Sequence, residues 1–200
     1  MAGGTPNVKH LWIQDPSGLG NPAVVSESTP EYPGSVGKVG NLKESAGVRT
    51  KVLQYVKRVS TDTTVAAAAG AIAYWQDQDD FVVCADQTLA LGGSTAPIAA
   101  GVFLGTLPTA GSYGYIQVSG SGPLLLDGVQ TEDVVVGDRL FMKAADADGL
   151  VTHAVVGTDA ATIAAEILVT KNLPVGIALG AQADSSASVT ALYQFQRNGW

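Results

Sequence analysis

The glycine-rich stretch 111–128, GSYGYIQVSGSGPLLLDG, is the part of the chain that comes nearest to a phosphate-binding loop. A Walker loop ends in Gly-Lys-Ser or Gly-Lys-Thr before a helix, so that backbone N–H groups and the lysine surround the phosphates. Here a proline and three leucines follow the glycines, and no lysine is near. A dinucleotide fingerprint needs its glycines between a strand and a helix, and PLLLDG is too short for that helix. The stretch therefore predicts a strand and a β-turn.

Alternation in SYGYIQVSG, residues 112–120, predicts a strand. Ile116 and Val118 fall on the face expected to meet a core. Tyr113 and Tyr115 fall on the opposite face, against another strand or a neighbouring protomer, and are the candidate inter-subunit residues. The turn, and the return to the sheet after it, are assigned to the next residues of the stretch: Gly120, Gly122, Pro123, Leu124 and Leu126.

Nucleophilic catalysis would need a cysteine or serine beside a base. Cys84, the single cysteine, lies in the β-branched run FVVCAD, where a cysteine usually acts as a small hydrophobic side chain. The two histidines, His10 and His153, are distant from it in sequence, and sequence leaves their spatial adjacency open. No serine lies in a Gly-x-Ser-x-Gly elbow. We expect the protein not to be an enzyme.

Acidic residues gather in two short segments. DADG at 146–149 starts like a calcium loop but lacks the third ligand before glycine and the closing glutamate, so a hairpin turn fits it better. QDQDD at 76–80 is interpreted as a solvated turn. Two histidines and one cysteine, widely separated, do not suggest a zinc site. We therefore expect no metal and no cofactor.

The charge of the chain is divided unevenly. The net charge is −7, which disfavours nucleic-acid binding. Residues 1–60 hold seven basic and four acidic residues, whereas residues 61–200 hold four basic and fourteen acidic ones. This asymmetry indicates two parts with different partners. A basic patch near the boundary consists of Arg49, Lys51, Lys57 and Arg58. It is interpreted as a solvated face or a contact with an acidic protein surface, and nucleic acid comes third because the acidic remainder would repel it.

Residues 1–60 are predicted to form an extended N-terminal arm. Five of the nine prolines lie within residues 1–40, and no sustained period of 2 or 3.6 is found there. Trp12 and Tyr32 favour an arm laid over another surface, since a purely solvating tail rarely carries aromatic residues. Within the arm, VRTKVLQYVKRVS fits a helix or a strand, and its Val, Thr and Tyr content favours the strand. Neither a signal peptide nor a membrane span is recognised, so we expect synthesis in a cytoplasm and no membrane partner.

Residues 61–200 are predicted to form one β-rich domain. Short strands are expected in FVVCAD, PIAAGVFLGTL, SYGYIQVSG, DRLFMKAADADGLVTHAVV and LPVGIALGAQADSSASVTALYQFQ. Only TDAATIAAEILV has a helical pattern, with Thr158 or Asp159 as the N-cap. Many short strands separated by Gly and Pro turns argue for a small β-barrel or sandwich. The predicted fold is therefore mainly β, with a long arm and at most one or two short helices.

The order of these β features resembles the small decoration, or cement, proteins of tailed-bacteriophage capsids. An aromatic-Gly-aromatic-Ile-Gln-Val strand is followed by VGDRL, an ADG turn, VGIAL and a C-terminal strand. The resemblance implies a β-tulip-like domain, commonly trimeric, on the outer surface of a phage head, where it bridges subunits of the major capsid protein. On that basis the arm is expected to contact the capsid through these residues: Trp12, Tyr32, Arg49, Lys51, Tyr55, Lys57 and Arg58.

Two other hypotheses remain at this stage. The chain could be a different virion part, such as a tail-tube or head-fibre component, since such parts are also β-rich and non-enzymatic. It could instead be a hydrolytic or sugar-binding β-domain, which would require the acidic segments to converge in one cleft. That convergence would have to involve Asp77, Asp79, Asp80, Asp146 and Asp148.

Overall fold

The fold is built from ten β-strands and one short 3₁₀ helix, Gln87–Leu89. A computed structural model describes residues 36–37, 39–43, 50–62, 67–93, 96–105, 110–126, 133–143, 149–153, 174–183 and 186–195. The strands are β1 Val39–Lys43, β2 Thr50–Arg58, β3 Ile72–Asp77, β4 Val82–Cys84, β5 Ala99–Phe103, β6 Tyr113–Leu125, β7 Arg139–Met142, β8 Val151–His153, β9 Gly176–Ala178 and β10 Ser188–Gln194. The prediction of a mainly β chain is confirmed.

Five strands close into a small barrel, as predicted. Their order is β2-β4-β3-β5-β6, and β6 pairs back onto β2, so the sheet has no edge at this point. The β2–β4 pair is parallel and the others are antiparallel. A barrel of few strands has a narrow interior. It is filled by the large side chains of Trp75 and Phe103 beside small residues such as Ala73 and Ala100.

β2 is one of the walls of this barrel, which confirms the strand favoured for VRTKVLQYVKRVS. Lys57 and Arg58 pair with β4 on one side, and residues 52–57 pair with β6 on the other. β1 lies antiparallel to the first half of β2. Residues 39–43 and 50–58 both fall within the range predicted as the arm, and residues 1–35 lie outside the described residues.

A second sheet continues from the far half of β6, in the order β6-β10-β9-β7-β8. A parallel bridge between Leu126 and Val151 brings the end of β6 near β8 and curves this sheet around its own core. The core contains Leu124, Leu140 and Tyr193 of the second sheet, together with Ile72 from the outer side of the barrel. The two sheets are therefore fused through β6 and share one apolar layer.

β6 runs unbroken through the stretch in which a turn was predicted, so that prediction is wrong. Gly120, Gly122 and Pro123 lie inside a 13-residue strand. Before this point β6 pairs with β2 and β5, and after it with β10. A register shift opposite Val52 marks the change, because glycines and a bulge let a strand bend from one sheet into another. The amide of Gln117 donates to the Ser119 and Ser121 carbonyls across the bend.

The remaining strand predictions are met in part. β7 pairs with β8 and β9 with β10, which agrees with the strands predicted in DRLFMKAADADGLVTHAVV and LPVGIALGAQADSSASVTALYQFQ. Residues 146–148 of the DADG turn, and the whole helix predicted in TDAATIAAEILV, lie outside the described residues. Sequence analysis did not identify β1 or β3 as strands. Over the ranges given above, no helix has the length and apolar character required to cross a membrane.

Candidate functional site

The barrel carries a cluster of three tyrosines on its outer side. Tyr55 projects from β2, and Tyr113 and Tyr115 project from the paired part of β6. The Tyr55 ring centroid lies 4.8 Å from that of Tyr115 and 6.2 Å from that of Tyr113, which it stacks on with an interplanar angle of 21°. Ile116 and Val118, on the other face of β6, are buried inside the barrel as predicted. The candidate inter-subunit tyrosines thus contact a side chain of their own chain.

A lysine extends this cluster towards solvent. Lys57 is two residues after Tyr55 on the same face of β2, and its Nζ lies 5.8 Å from the centroid of the Tyr113 ring. This distance is within the range of a cation–π contact. Lys57 and Tyr113 are half-buried, whereas Tyr55 and Tyr115 are buried. Of the cluster, only the lysine and Tyr113 are therefore accessible to a partner.

Arg58 and Tyr55 do not have the surface position expected of capsid contacts. Arg58 is 2 % exposed, and its Nε lies 3.0 Å from Oδ2 of the fully buried Asp62. Its Nη2 donates to the Asp62 carbonyl at 2.8 Å. The Asp62 carboxylate also accepts from the Ala85 N–H at the end of β4. Because β2 alternates, Arg58 points into the barrel, and its charge ties two barrel walls together instead of meeting solvent.

Of the other predicted contact residues, only Lys51 is described. It is half-buried on β2, opposite Leu42 of β1. Trp12, Tyr32 and Arg49 lie outside the described residues. Four of the predicted site residues lie together on one face of the barrel, because alternation places their side chains on the outward side of the paired strands β2 and β6. These residues are Tyr55, Lys57, Tyr113 and Tyr115.

The chain enters the barrel beside this cluster. The Gly37 N–H donates to the Tyr55 carbonyl at 2.6 Å, and the Gln54 amide donates to the Gly37 carbonyl at 3.2 Å. Gly37 has a φ of +81°, and a Cβ at this position would overlap the Phe81 ring. Val36 packs against the buried tyrosine cluster. Val36 and Gly37 are thus held against the barrel at the tyrosine cluster.

The second sheet presents a face of a different character. Along β10, residues alternate between exposed and buried, and Leu192 is 50 % exposed. Ile177 of β9, which is 46 % exposed, lies directly opposite Leu192 in the antiparallel register. Residues 119–126, 174–183 and 186–195 contain no Asp, Glu, Lys or Arg. The outward side chains of these strands are Pro123, Ile177, Leu179, Thr190, Leu192 and Gln194. The exposed Arg139 of β7 lies opposite Ile177 on the same side of the sheet.

Sequence analysis missed this face, although a signal for it was present. SVTALYQ alternates strictly, and with Val189, Ala191 and Tyr193 inward, Leu192 has to point outward. An exposed leucine is ordinary by itself. Only the register shows that it meets Ile177, because the two residues are 15 positions apart in the chain.

Groups that could perform chemistry are engaged in structural contacts. Cys84 is buried, and its thiol lies 3.6 Å from the Tyr74 carbonyl oxygen. His153 Nδ1 lies 3.2 Å from Asp138 Oδ2, which also accepts the Val135 N–H. Within the described ranges, no group of three or more His, Cys, Asp or Glu residues could hold a metal ion.

The acidic segment at 76–80 has its own internal contacts. Asp77 accepts the N–H groups of Asp79 and Asp80, which forms a turn with exposed acidic side chains. Asp146 and Asp148 lie outside the described residues. The described contacts of this segment are those of a surface turn.

Comparison with known proteins gives a similarity of low score to a solved structure. No protein-family model matches the chain, and no curated protein matches it. Among solved structures, it is similar to the head fiber gp8.5 N base of bacteriophage phi29, at a TM-score of 0.39 and 17% sequence identity. The alignment covers 75% of this chain and 99% of that chain. This TM-score is too low to establish a shared fold, so the function has to be inferred from the residues of the chain itself.

Proposed function

We propose that this chain is a structural protein of a tailed-phage virion, and that it decorates the outer surface of the head and bridges subunits of the major capsid protein. It acts by binding, without catalysis and without a cofactor. The proposal is supported by the order of the β features in residues 61–200, which resembles that of capsid decoration proteins.

The observation that carries the proposal is the position of the arm junction. The predicted arm, residues 1–35, is followed in the chain by Val36 and Gly37, and Gly37 is hydrogen-bonded to Tyr55 and Gln54 of the barrel. The accessible pair of Lys57 and Tyr113 lies on the same outer side of the barrel. The arm and this pair therefore reach one partner surface together, and an aromatic ring beside a cation is a group that protein interfaces favour.

The charge distribution indicates what kind of surface the partner presents. Residues 1–60 carry a surplus of basic residues, and the rest of the chain carries a surplus of acidic ones. An arm of this charge is attracted to an acidic protein surface, while the acidic remainder is kept away from it, which orients the barrel during binding. Repetition of the contact over many sites on one shell adds avidity to a modest single affinity.

Reconstitution on heads tests the proposal. Heads that lack this protein are mixed with the purified full chain, and bound copies are located by electron cryomicroscopy and counted by gel densitometry. We expect density at every equivalent lattice position, in register with the icosahedral symmetry. Density confined to the tail, or to a few isolated positions on the head, would contradict the cement role and support a tail or fibre component.

Two variants test the contact surface. A chain beginning at residue 36 removes the arm but keeps every described strand, whereas removal of residues 1–60 would delete β2 and open the barrel. We expect this truncation, and separately Lys57→Glu, to reduce occupancy on heads by about tenfold or more at fixed salt concentration. Lys143→Glu, a charge reversal at the end of β7 in the second sheet, is the matched control and should bind as the parent does. Full occupancy by the truncated chain would refute the role of the arm.

A further inference from the structure

Phe81 differs from the other barrel residues in its backbone conformation. Its φ is +55°, and it is the only non-glycine residue in the described part of the chain with a positive φ. It ends the turn 78–81 between β3 and β4, where hairpin loops usually place a glycine, because a side chain is disfavoured in the left-handed region. A bulky residue in this region is held there by its surroundings, and such positions are frequent in switching segments.

The ring of Phe81 lies over Gly37. A Cβ at Gly37 would overlap carbons of this ring, and the φ of Gly37 is +81°, so the contact requires a glycine. The two residues are neighbours along one edge of β2, since the Gly37 N–H donates to the Tyr55 carbonyl and the Lys57 N–H donates to the Phe81 carbonyl. The Phe81 ring also packs against the barrel core, with its centroid 6.4 Å from that of Trp75.

We propose that Phe81 is a latch that closes over Val36 and Gly37, which we call the arm root. While the root is seated, the ring is packed between Gly37 and Trp75, and these contacts hold the left-handed backbone of Phe81 in place. When the root leaves, the ring loses the contact on one side, and the backbone of the turn 78–81 relaxes. The seating of the root and the conformation of this turn therefore change together, as one two-state element.

The latch couples the predicted arm to an acidic turn. Asp77 accepts the N–H groups of Asp79 and Asp80, and the latter two side chains are exposed immediately before Phe81. The root follows residues 1–35, the predicted arm, in the chain. A partner that draws the arm away from the barrel therefore also alters the acidic turn. Because coupling between two sites is reciprocal, a partner that fixes the turn also keeps the root seated.

Amide hydrogen exchange of the isolated chain, followed by NMR, tests the latch without heads and so independently of the capsid proposal. Phe81→Gly and Phe81→Asn both suit a left-handed backbone better than phenylalanine does, but they lack the ring. We expect the Gly37 N–H to exchange at least about 10-fold faster in both variants. The rate is taken relative to the Phe103 N–H, which donates to the Ala71 carbonyl within the barrel and reports the stability of the barrel as a whole.

The opposite direction of the coupling is tested with two chains that differ by the root alone. One begins at residue 36 and the other at residue 38, and both keep every strand given above. Because the Lys57 N–H donates to the Phe81 carbonyl, we expect it to exchange at least about 10-fold faster in the shorter chain, again relative to the Phe103 N–H.

Two alanine variants of the full chain separate the ring contact from the loss of a glycine. Gly37→Ala should raise the exchange rate of the Lys57 N–H as removal of the root does. Gly93→Ala is the matched control, because Gly93 also has a positive φ, +64°, but a Cβ there meets open space. An equal effect of the two variants on the Lys57 N–H would contradict the role of the ring.

Two other results would overturn the proposal: an unchanged rate for the Gly37 N–H in both Phe81 variants, or equal rates for the Lys57 N–H in the two shortened chains. The shortened chains retain Phe81, so they decide the question even if the Phe81 variants do not fold. Failure of head binding would leave the latch intact, because no head takes part in these measurements.

Discussion

Replacement of Asp62 by asparagine tests the role of the buried charge in the barrel. Asp62 is fully buried and Arg58 is 2 % exposed, so both charges are withdrawn from water. The Asp62 carboxylate receives the Arg58 Nε–H at 3.0 Å and the Ala85 N–H at 2.8 Å. Asparagine has nearly the same shape and keeps an acceptor oxygen, so the substitution removes the negative charge while leaving the packing in place.

The magnitude follows from the burial of the pair. Removing one partner of a buried ion pair leaves the other charge uncompensated and costs about 3–5 kcal/mol. For a chain of 200 residues this lowers the melting temperature by about 6–20 °C, since each kcal/mol corresponds to about 2–4 °C at this size. Urea unfolding followed by the circular dichroism of the sheet gives the free energy of unfolding directly.

Two further variants make this prediction specific. Asp79→Asn neutralises an exposed acid in the turn after β3 and should change the free energy of unfolding by less than about 0.5 kcal/mol. Arg58→Met combined with Asp62→Asn removes both charges and keeps an acceptor for the Ala85 N–H, so the double variant should be more stable than Asp62→Asn alone. The reasoning is refuted if Asp62→Asn costs less than about 1 kcal/mol, or if the double variant recovers nothing.

Three other predictions concern the second sheet and the shared core. Gly122→Ala should lower the free energy of unfolding by about 1–3 kcal/mol, because its Cβ would lie 2.6 Å from the buried Tyr193 hydroxyl oxygen. Gly180→Ala is the control, since a Cβ at that position meets open space. Equal effects of the two variants in urea unfolding would contradict this account. Burial raises the pKa of Tyr193, so the folded state keeps this proton where the unfolded chain, with a pKa of about 10, releases it. The free energy of unfolding should therefore fall as pH rises beyond about 10, and less steeply in Tyr193→Phe; identical slopes would rule this out. The Cys84 thiol should react with a thiol reagent only as fast as the native protein opens, and rapid labelling without denaturant would show that it is not buried.

The strand pattern could be predicted wherever one face of a strand is buried and the other is not. The alternation in SVTALYQ and YGYIQV is a local property of the sequence, and it correctly assigned Ile116 and Val118 to the core. The mainly β composition and the small barrel followed from many such short runs. β3 was missed because four successive residues of IAYWQD are buried, one face by the barrel interior and the other by the second sheet, so no alternation is visible.

The local meaning of glycine misled the prediction for β6. Gly120, Gly122 and Pro123 are turn residues by local preference. In the fold they lie where one strand passes from the barrel to the second sheet, and pairing with β10 outweighs that preference. The gain from this long-range pairing depends on partners that lie 67 to 73 residues away in the chain, so it cannot be predicted from the local preference of these three residues.

The sequence by itself determined the class of fold, the division of charge along the chain and the inward or outward direction of side chains in its clearest strands. Tertiary structure decided which of these side chains meet. It gathered Tyr55, Tyr113 and Tyr115 into one cluster, buried Arg58 against Asp62, and set Leu192 opposite Ile177 on the outward side of the second sheet. The reason is physical: periodicity is a property of neighbours along the chain, whereas burial and contact depend on the pairing of strands that the chain brings together from a distance.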